Sequence, residues 1–452
     1  MKIKVLLVIE SCNPELSSVP LVGYNFYKVI NKFADVHLVT HCRNKDALAR
    51  AGHTSDITYY EQSRTEVVYY KLIAFLTTFR GRTVWPLRHL LQFPIYFFFN
   101  RFVDQAFSES VGNGDYEIVH ALTPIMPRYP YSIAAACRKS ERKAKFILGP
   151  VNGGVPYPEA FRNIGRQEFS YFNWIRSVGT WLVPSYRSTY KHADVILTGS
   201  SYTDSWLKKV FPSQSAKMHL MYENAANEMF YTSDMKIGEG AERGSFTNGT
   251  STNPSSTFKL LFLGRLEPYK GCDMVLEALA KLSNRDKENL QFTIVGEGSQ
   301  RKQLTDYVAN NKLTALVNFK GWIPHSDVPA ECKDADLFCF PSVREFGGAV
   351  VMESMAAGTP CIVVNNGGIG EYVTENSGFK IEPISREHVV QQLTEKISFL
   401  KNNPKRLFEM ALVARKQAEL YSWKNKGSAL EKIYMQAITS SEAEPIEQVT
   451  LG

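Results

Sequence analysis

The sequence predicts an α/β protein with a parallel, doubly wound sheet in each half of the chain. Three observations carry this. Short apolar runs alternate with helical stretches along most of the length, the rhythm of strand–helix–strand units rather than of hairpins. The rhythm breaks at 232–257, where Gly, Ser, Thr and Asn dominate, as in GSFTNGTSTNPSST. It then resumes in the second half, and 452 residues suit two or three domains.

In the first half, the runs at 4–9, 36–40, 117–122, 145–148, 195–198 and 218–221 read as strands. Ligands of such sheets bind beyond the carboxyl ends of the strands, so the residues just after each run matter most. After the first run come Glu10 to Pro14 and then Gly23. His120 stands near the end of the third, in VHALTP. After the fourth comes GPVNGGVPYPE, where Asn152, Gly153 and Gly154 belong to a rigid, open loop that either lines a ligand cleft or forms a surface turn.

Residues 71–102 differ from their surroundings. They hold Lys71, Arg80, Arg82, Arg88 and Arg101, many aromatics and no acid. Apolar plus basic, without spanning length, is the profile of an interfacial segment. The alternative is a helical pair packed on the sheet. The stretch at 232–257 cannot bury enough apolar surface to fold and reads as a mobile loop.

The second half repeats the pattern with runs at 259–263, 292–295, 317–320, 337–340 and 361–364. GRLEPYKG follows the first and carries Arg265 and Lys270, two cations beside a helix start that can hold a diphosphate. Gly296-Glu297-Gly298 follows the second. A dinucleotide fingerprint would want a third glycine where Arg301 stands. Asp334-Ala335-Asp336 ends a helix and runs into the buried strand LFCF, so no metal is expected there. Asn365 to Glu371 forms another Gly-rich turn.

The stretch from Arg344 to Pro360, REFGGAVVMESMAAGTP, organises the rest. A strand closes at Pro341, Gly347 and Gly348 allow close backbone approach, and a helix runs from Ala349 to a Gly358-x-Pro360 stop. Glu345 lies in the loop and Glu353 about two turns into the helix. A helix N-terminus offers N–H groups and a positive dipole end to phosphate. Two flanking carboxylates suit hydroxyl groups. Together they describe a pocket for a ligand carrying both phosphate and sugar.

Glu345 and Glu353, with seven residues between them, the flanking glycines and the AAGTP tail resemble the E-x7-E signature of the family-4 retaining glycosyltransferases (glycosyl transferases group 1) of the GT-B fold. The chain departs from the usual pattern in placing Phe346 before Gly347, in having Gly23 without a second glycine after the first strand, and in Leu122 where the family's His-x-His-x-Pro has its second His. The resemblance covers nearly the whole chain and is strongest over 259–380.

It implies two Rossmann-like domains with parallel sheets facing a central cleft. The expected divisions are an acceptor-binding domain at 1–225, a linker and loop at 226–257, a donor-binding domain at 258–421, a last helix at 422–439 packing back on the first domain, and a disordered tail at 440–452. It implies transfer of a sugar from a UDP- or GDP-linked donor to a glycan or lipid-linked acceptor, with retention and without metal or other cofactor. Arg265 and Lys270 would hold the diphosphate, and Glu353 the ribose. Glu345 would orient the transferred sugar, with His120 a second catalytic candidate. Gly296, Gly347, Gly348 and Ala349 would line the donor, and Trp322 and Ile323 are candidates for the base, with a core tryptophan as the alternative. Asn152, Gly153 and Gly154 would line the acceptor side. A nucleotide-sugar epimerase and a non-catalytic nucleotide-sugar binder remain the alternatives.

A net charge of +7 demands no nucleic acid and suits an anionic substrate or an anionic membrane surface. The seven Cys show no metal-ligand spacing and read as free thiols. MKIKVLLVIE reads as a first strand rather than a leader, and there is no apolar run long enough to span a bilayer. The expected location is the cytoplasm, with 71–102 the candidate for peripheral contact with the inner face of the membrane.

Overall fold

The structure is a computed structural model in which residues 2–79, 82–83, 85–140, 144–167, 183–231 and 257–439 are described. The loop expected at 232–257 lies outside them except for Thr257, as does the tail expected from 440. The chain divides into two compact units. One holds the described residues of Met1–Gly154, Gly165–Glu223 and Lys424–Leu451, the other Val155–Ile164 and Asn224–Trp423.

The first unit is a seven-stranded parallel sheet. Its strands are β1 (Ile3–Ile9), β2 (Ala34–His41), β3 (Ile57–Tyr60), β4 (Ile118–Thr123), β5 (Lys145–Val151), β6 (Val195–Thr198) and β7 (Met218–Leu220). They lie in the order β3-β2-β1-β4-β5-β6-β7. The centre of the sheet is covered on both faces, which is why β4 and β6 are buried at every position and β1 at all but Lys4, instead of alternating. Helix α1 (Val19–Phe33) follows β1, opens on Pro20 and buries Val22, Phe26, Tyr27, Val29 and Ile30.

Two helices fill the connection from β3 to β4. Helix α2 (Arg64–Thr77) starts at a capping box in which Ser63 and Glu66 satisfy each other's backbone N–H groups. Helix α3 (Trp85–Gly112) buries Tyr96, Phe99, Val103, Phe107 and Val111 among the side chains of β1, β4 and β5. Part of the basic-aromatic stretch is therefore sheet-packed core, because its apolar spacing of three and four continues beyond Phe102.

The second unit is a six-stranded parallel sheet of β8 (Phe258–Leu263), β9 (Leu290–Val295), β10 (Val317–Gly321), β11 (Leu337–Phe340), β12 (Cys361–Val364) and β13 (Gly378–Ile381). Their order is β10-β9-β8-β11-β12-β13, with the reversal between β8 and β11. Helix α4 (Cys272–Lys281) follows β8 and α5 (Ala349–Ala356) follows β11. Each sheet thus runs outward from a first strand in both directions, the Rossmann-like arrangement, and its switch point sets the ligand crevice.

Helix α6 (Trp423–Thr439) belongs, from Lys424 on, to the first unit. Its Tyr434 ring meets Phe33 at 5.6 Å, and Lys426 lies over the Phe26 ring at 5.4 Å. The edge strands β3 and β13 go beyond the sequence-based strands. ITYY is mostly half-exposed and GFKI starts on Gly378 and exposes Lys380, so neither shows a plain apolar run.

Candidate active site

The crevice of the second sheet is built from four strand-end loops. The loops after β8 and β9 run against each other, with Gly264 N–H donating to Val295 O and Leu266 N–H to Glu297 O, both at 3.0 Å. The contact requires glycine at 296. Its φ is +133°, and a Cβ there would stand 1.9 Å from Gly264 O. Gly296 N–H in turn donates to Gly321 O at 2.7 Å, which brings the Trp322–Ile323 loop to the same edge. Trp322 is 74% exposed, so it is not a core tryptophan, and Ile323 is half-buried.

Arg265 and Lys270 are held by the tyrosine between them. Arg265 Nη2 donates to the Tyr269 hydroxyl at 2.5 Å, and Lys270 Nζ lies 5.3 Å from the Tyr269 ring and 5.1 Å from Phe340. Tyr269 O accepts from Val343 N–H at 2.9 Å and from Ser342 Oγ at 3.2 Å, so the loop after β8 is latched to the loop after β11. The latch places Lys270 against Glu345, and the two form an ion pair with both side chains mostly buried.

Glu345 is fixed from both sides. Its backbone makes a parallel bridge with Gly367, and Phe346 O accepts from Gly368 N–H at 3.1 Å. Arg344 donates through Nε to Val155 O at 2.9 Å and sits over the rings of Tyr157 and Phe346, at 4.9 and 5.1 Å. Phe346 therefore has a local role: it packs the guanidinium beside Glu345. Asn366 ties the 365–371 loop to Val343 O at 2.7 Å.

Gly347 is buried, and Gly348 caps α5 with φ +48°. A Cβ at Gly348 would fall 2.2 Å from Ile369 Cγ2 and 3.0 Å from Glu345 Cγ. No side chain caps the helix, so the positive end of its dipole beside Ala349 has no side-chain partner at the N-cap. Glu353, on α5, is 6% exposed and accepts from His325 Nε2 at 3.1 Å. That bond, against the opposing effect of burial, raises the His325 pKa above its ordinary value.

Arg265, Lys270, Gly296, Trp322, Ile323, Glu345, Gly347, Gly348, Ala349 and Glu353 thus belong to one loop edge of the second unit. Reading the sequence missed Tyr269, His325, Ser342 and Arg344. Tyr269, between the two cations, and His325, two residues past Ile323, had a positional signal. Ser342 and Arg344 had none beyond adjacency to Glu345.

The remaining candidates lie in the first unit. His120 is fully buried. Its Nε2–H donates to Gly149 O at 2.6 Å and its Nδ1 accepts from the Tyr434 hydroxyl at 2.7 Å. One neutral tautomer satisfies both bonds, and burial lowers the pKa to about 4. With both nitrogens engaged, His120 cross-links β4, β5 and α6. Asn152 is 3% exposed. Its amide donates to Glu223 at 2.7 and 2.9 Å, and its carbonyl accepts from Ser200 and Thr203 at 2.9 and 2.8 Å. The side chain thus ties the loop after β5 to Ser200, Thr203 and Glu223. Gly153 N–H donates to Thr203 Oγ1 at 3.2 Å, and Gly154 follows it in the same loop.

Asp334 pairs with Lys259 Nζ at 2.9 Å and Asp336 accepts from Lys259 N–H at 2.7 Å. Among the described residues no group of three or more His, Cys, Asp or Glu is placed to hold a metal, and no described helix is long and apolar enough to cross a membrane.

Comparison with known proteins agrees with this architecture. Residues 248–418 match the profile of Glycosyl transferases group 1. The chain is 26% identical over 297 residues to the glycogen synthase of Mycobacterium tuberculosis, a match covering 65% of each protein. It is 23% identical over 410 residues to an uncharacterized glycosyltransferase of Methanocaldococcus jannaschii, covering 88% of this chain and 93% of that one. Among solved structures, Anabaena Alr3699/HepE in complex with UDP superposes with a TM-score of 0.60 at 14% identity, over 96% of this chain and 100% of that one. The chain therefore has the GT-B fold, and its residues 248–418 are similar to the group 1 glycosyltransferases.

Proposed function

We propose that the protein is a retaining glycosyltransferase. It moves a sugar from a nucleoside-diphosphate donor to a glycan or lipid-linked acceptor, of the kind consumed in cell-surface polysaccharide or lipopolysaccharide assembly. The observation that carries this is the Lys270–Glu345 pair beside the uncapped start of α5, with Arg265 on the adjoining loop and Glu353 on the helix. The UDP in the Anabaena structure supports the donor class.

In this reading, the diphosphate takes Arg265, Lys270 and the N–H groups at the start of α5. These neutralise the charge that builds on the leaving nucleotide, a task another site would give to a metal. Glu353 receives the ribose hydroxyls and Trp322 and Ile323 the base. Glu345, released from Lys270, receives hydroxyls of the transferred sugar. The acceptor oxygen then bonds to the anomeric carbon, the bond from that carbon to the phosphate oxygen breaks, and the acceptor proton passes to the departing phosphate. No protein base is needed, which agrees with an enclosed His120.

A thermal-shift panel of UDP, GDP, ADP, CMP and dTDP, with and without Mg²⁺, tests the donor site. A nucleotide at a hundred times its dissociation constant adds about 2.7 kcal/mol of stability. A shift with one nucleotide in the absence of metal is expected. No shift with any would overturn the donor assignment, and a shift only with Mg²⁺ would overturn the metal-free reading. Slow donor hydrolysis by the wild type and its loss in Glu345→Gln separates a transferase from a non-catalytic binder.

A further inference from the structure

We infer that the outward face of α2 docks on the surface of an anionic lipid bilayer. The helix is inverted relative to an ordinary surface helix. Its inward positions are Glu66, Ile73 and Thr77, all buried. Its outward positions are apolar: Phe75 is 78% exposed, Val68 66%, Leu76 58% and Leu72 50%. Val68, Leu72 and Phe75 follow at i, i+4 and i+7, and so form one continuous stripe.

Charge selects the partner. Arg64 and Lys71, seven residues apart and both exposed, flank the stripe. The helix's one acid, Glu66, is turned inward and spent: it accepts from Ser63 N–H at 2.8 Å, Ser63 Oγ at 2.7 Å and the Tyr60 hydroxyl at 2.5 Å. Between Val67 and Val103 the sequence holds five Lys or Arg and no Asp or Glu. The neighbouring α3 adds exposed Leu87 and Phe98, and Arg88, which donates to the Tyr70 hydroxyl at 3.3 Å.

An apolar stripe whose exposed charges on the helix are the cations Arg64 and Lys71 fits an interface of acyl chains and anionic headgroups. There the stripe enters the boundary region and the cations stay with the phosphates. A protein partner would need acids facing Arg64 and Lys71, whereas a bilayer supplies them at any rotation of the helix. A lipid surface would also bring a lipid-linked acceptor to the first unit. That last point rests on the transferase reading, but the docking itself does not.

The test is co-sedimentation of the full chain with vesicles of phosphatidylcholine, with and without a third of phosphatidylglycerol. The wild type is expected to sediment with the anionic vesicles, less so as salt rises, and to stay in solution with the neutral ones. The Val68→Ser/Leu72→Ser/Phe75→Ser variant is expected to lose about tenfold in partitioning, as buried apolar area is removed. Lys71→Glu is expected to fall between the two. The nucleotide thermal shift should be the same in wild type and triple variant, so failure of docking and failure of the donor site are read separately.

Wild type that ignores anionic vesicles overturns the inference. So does a triple variant that sediments like wild type. Light scattering that shows a wild-type dimer abolished by the triple substitution would also overturn it, since a second copy would then cover the face.

Discussion

Lys270 and Glu345, 75 positions apart, form an ion pair at the carboxyl edge of the second sheet. In the ligand-free protein each satisfies the other. A diphosphate offers Lys270 more charge than one carboxylate does, so donor binding is expected to exchange the pair for Lys270–phosphate and leave Glu345 to the sugar. Lys270→Ala removes a charge-assisted bond worth about 1.5–3 kcal/mol. UDP binding, measured by calorimetry, is expected to weaken by roughly tenfold to a hundredfold at that magnitude. Unchanged affinity would place the diphosphate elsewhere.

His325 predicts a pH dependence of stability. Its pKa is raised by the bond to Glu353. A group whose folded pKa lies above its unfolded value contributes fully below the unfolded pKa, ordinarily about 6.5, and loses that contribution as pH rises through the folded value. The thermal midpoint is therefore expected to lose a small increment as pH climbs above about 6.5. The difference between wild type and His325→Asn should shrink over the same interval. A constant difference would mean that the imidazole is not protonated in this pair.

Lys426 works in the opposite direction. It is 1% exposed, donates to Tyr222 O, and burial pushes its pKa down to about 7. The unfolded chain then binds more protons between pH 7 and the ordinary lysine value of about 10.4, so this group makes stability rise with pH across that window. In Lys426→Met the rise should be absent when unfolding by urea is followed from neutral to alkaline pH. Glu223, buried nearby, favours the charged amine and limits the slope in the wild type.

His120→Ala separates a structural histidine from a catalytic one. It strands the buried Tyr434 hydroxyl and Gly149 carbonyl, a cost of about 1–3 kcal/mol per unsatisfied group. A lowered urea midpoint with donor hydrolysis within about tenfold of wild type is expected, since general acid–base loss would cost about 10²–10⁴. A collapse of turnover at full stability would restore His120 as a reacting group.

The strand–helix alternation and most central strands were legible in the sequence, because strands buried on both faces are mostly apolar. The same holds for the Glu345–Glu353 loop and helix, whose glycines and Gly-x-Pro stop are local signals. The Arg265–Lys270 stretch was legible because both cations lie within one short connection after a strand. The edge strands β3 and β13 were not: a half-solvated strand needs no apolar run. Partnership was not legible either. His120 and Tyr434 are 314 positions apart. Nothing local tells a strand-end histidine that faces a ligand from one closed off by a distant hydroxyl. Asn152 is the same case, with its partners supplied by Ser200, Thr203 and Glu223. Spacing along a chain specifies backbone geometry over a few residues. Whether a polar side chain is free or spent depends on which distant segment packs over it, and that is settled by long-range burial.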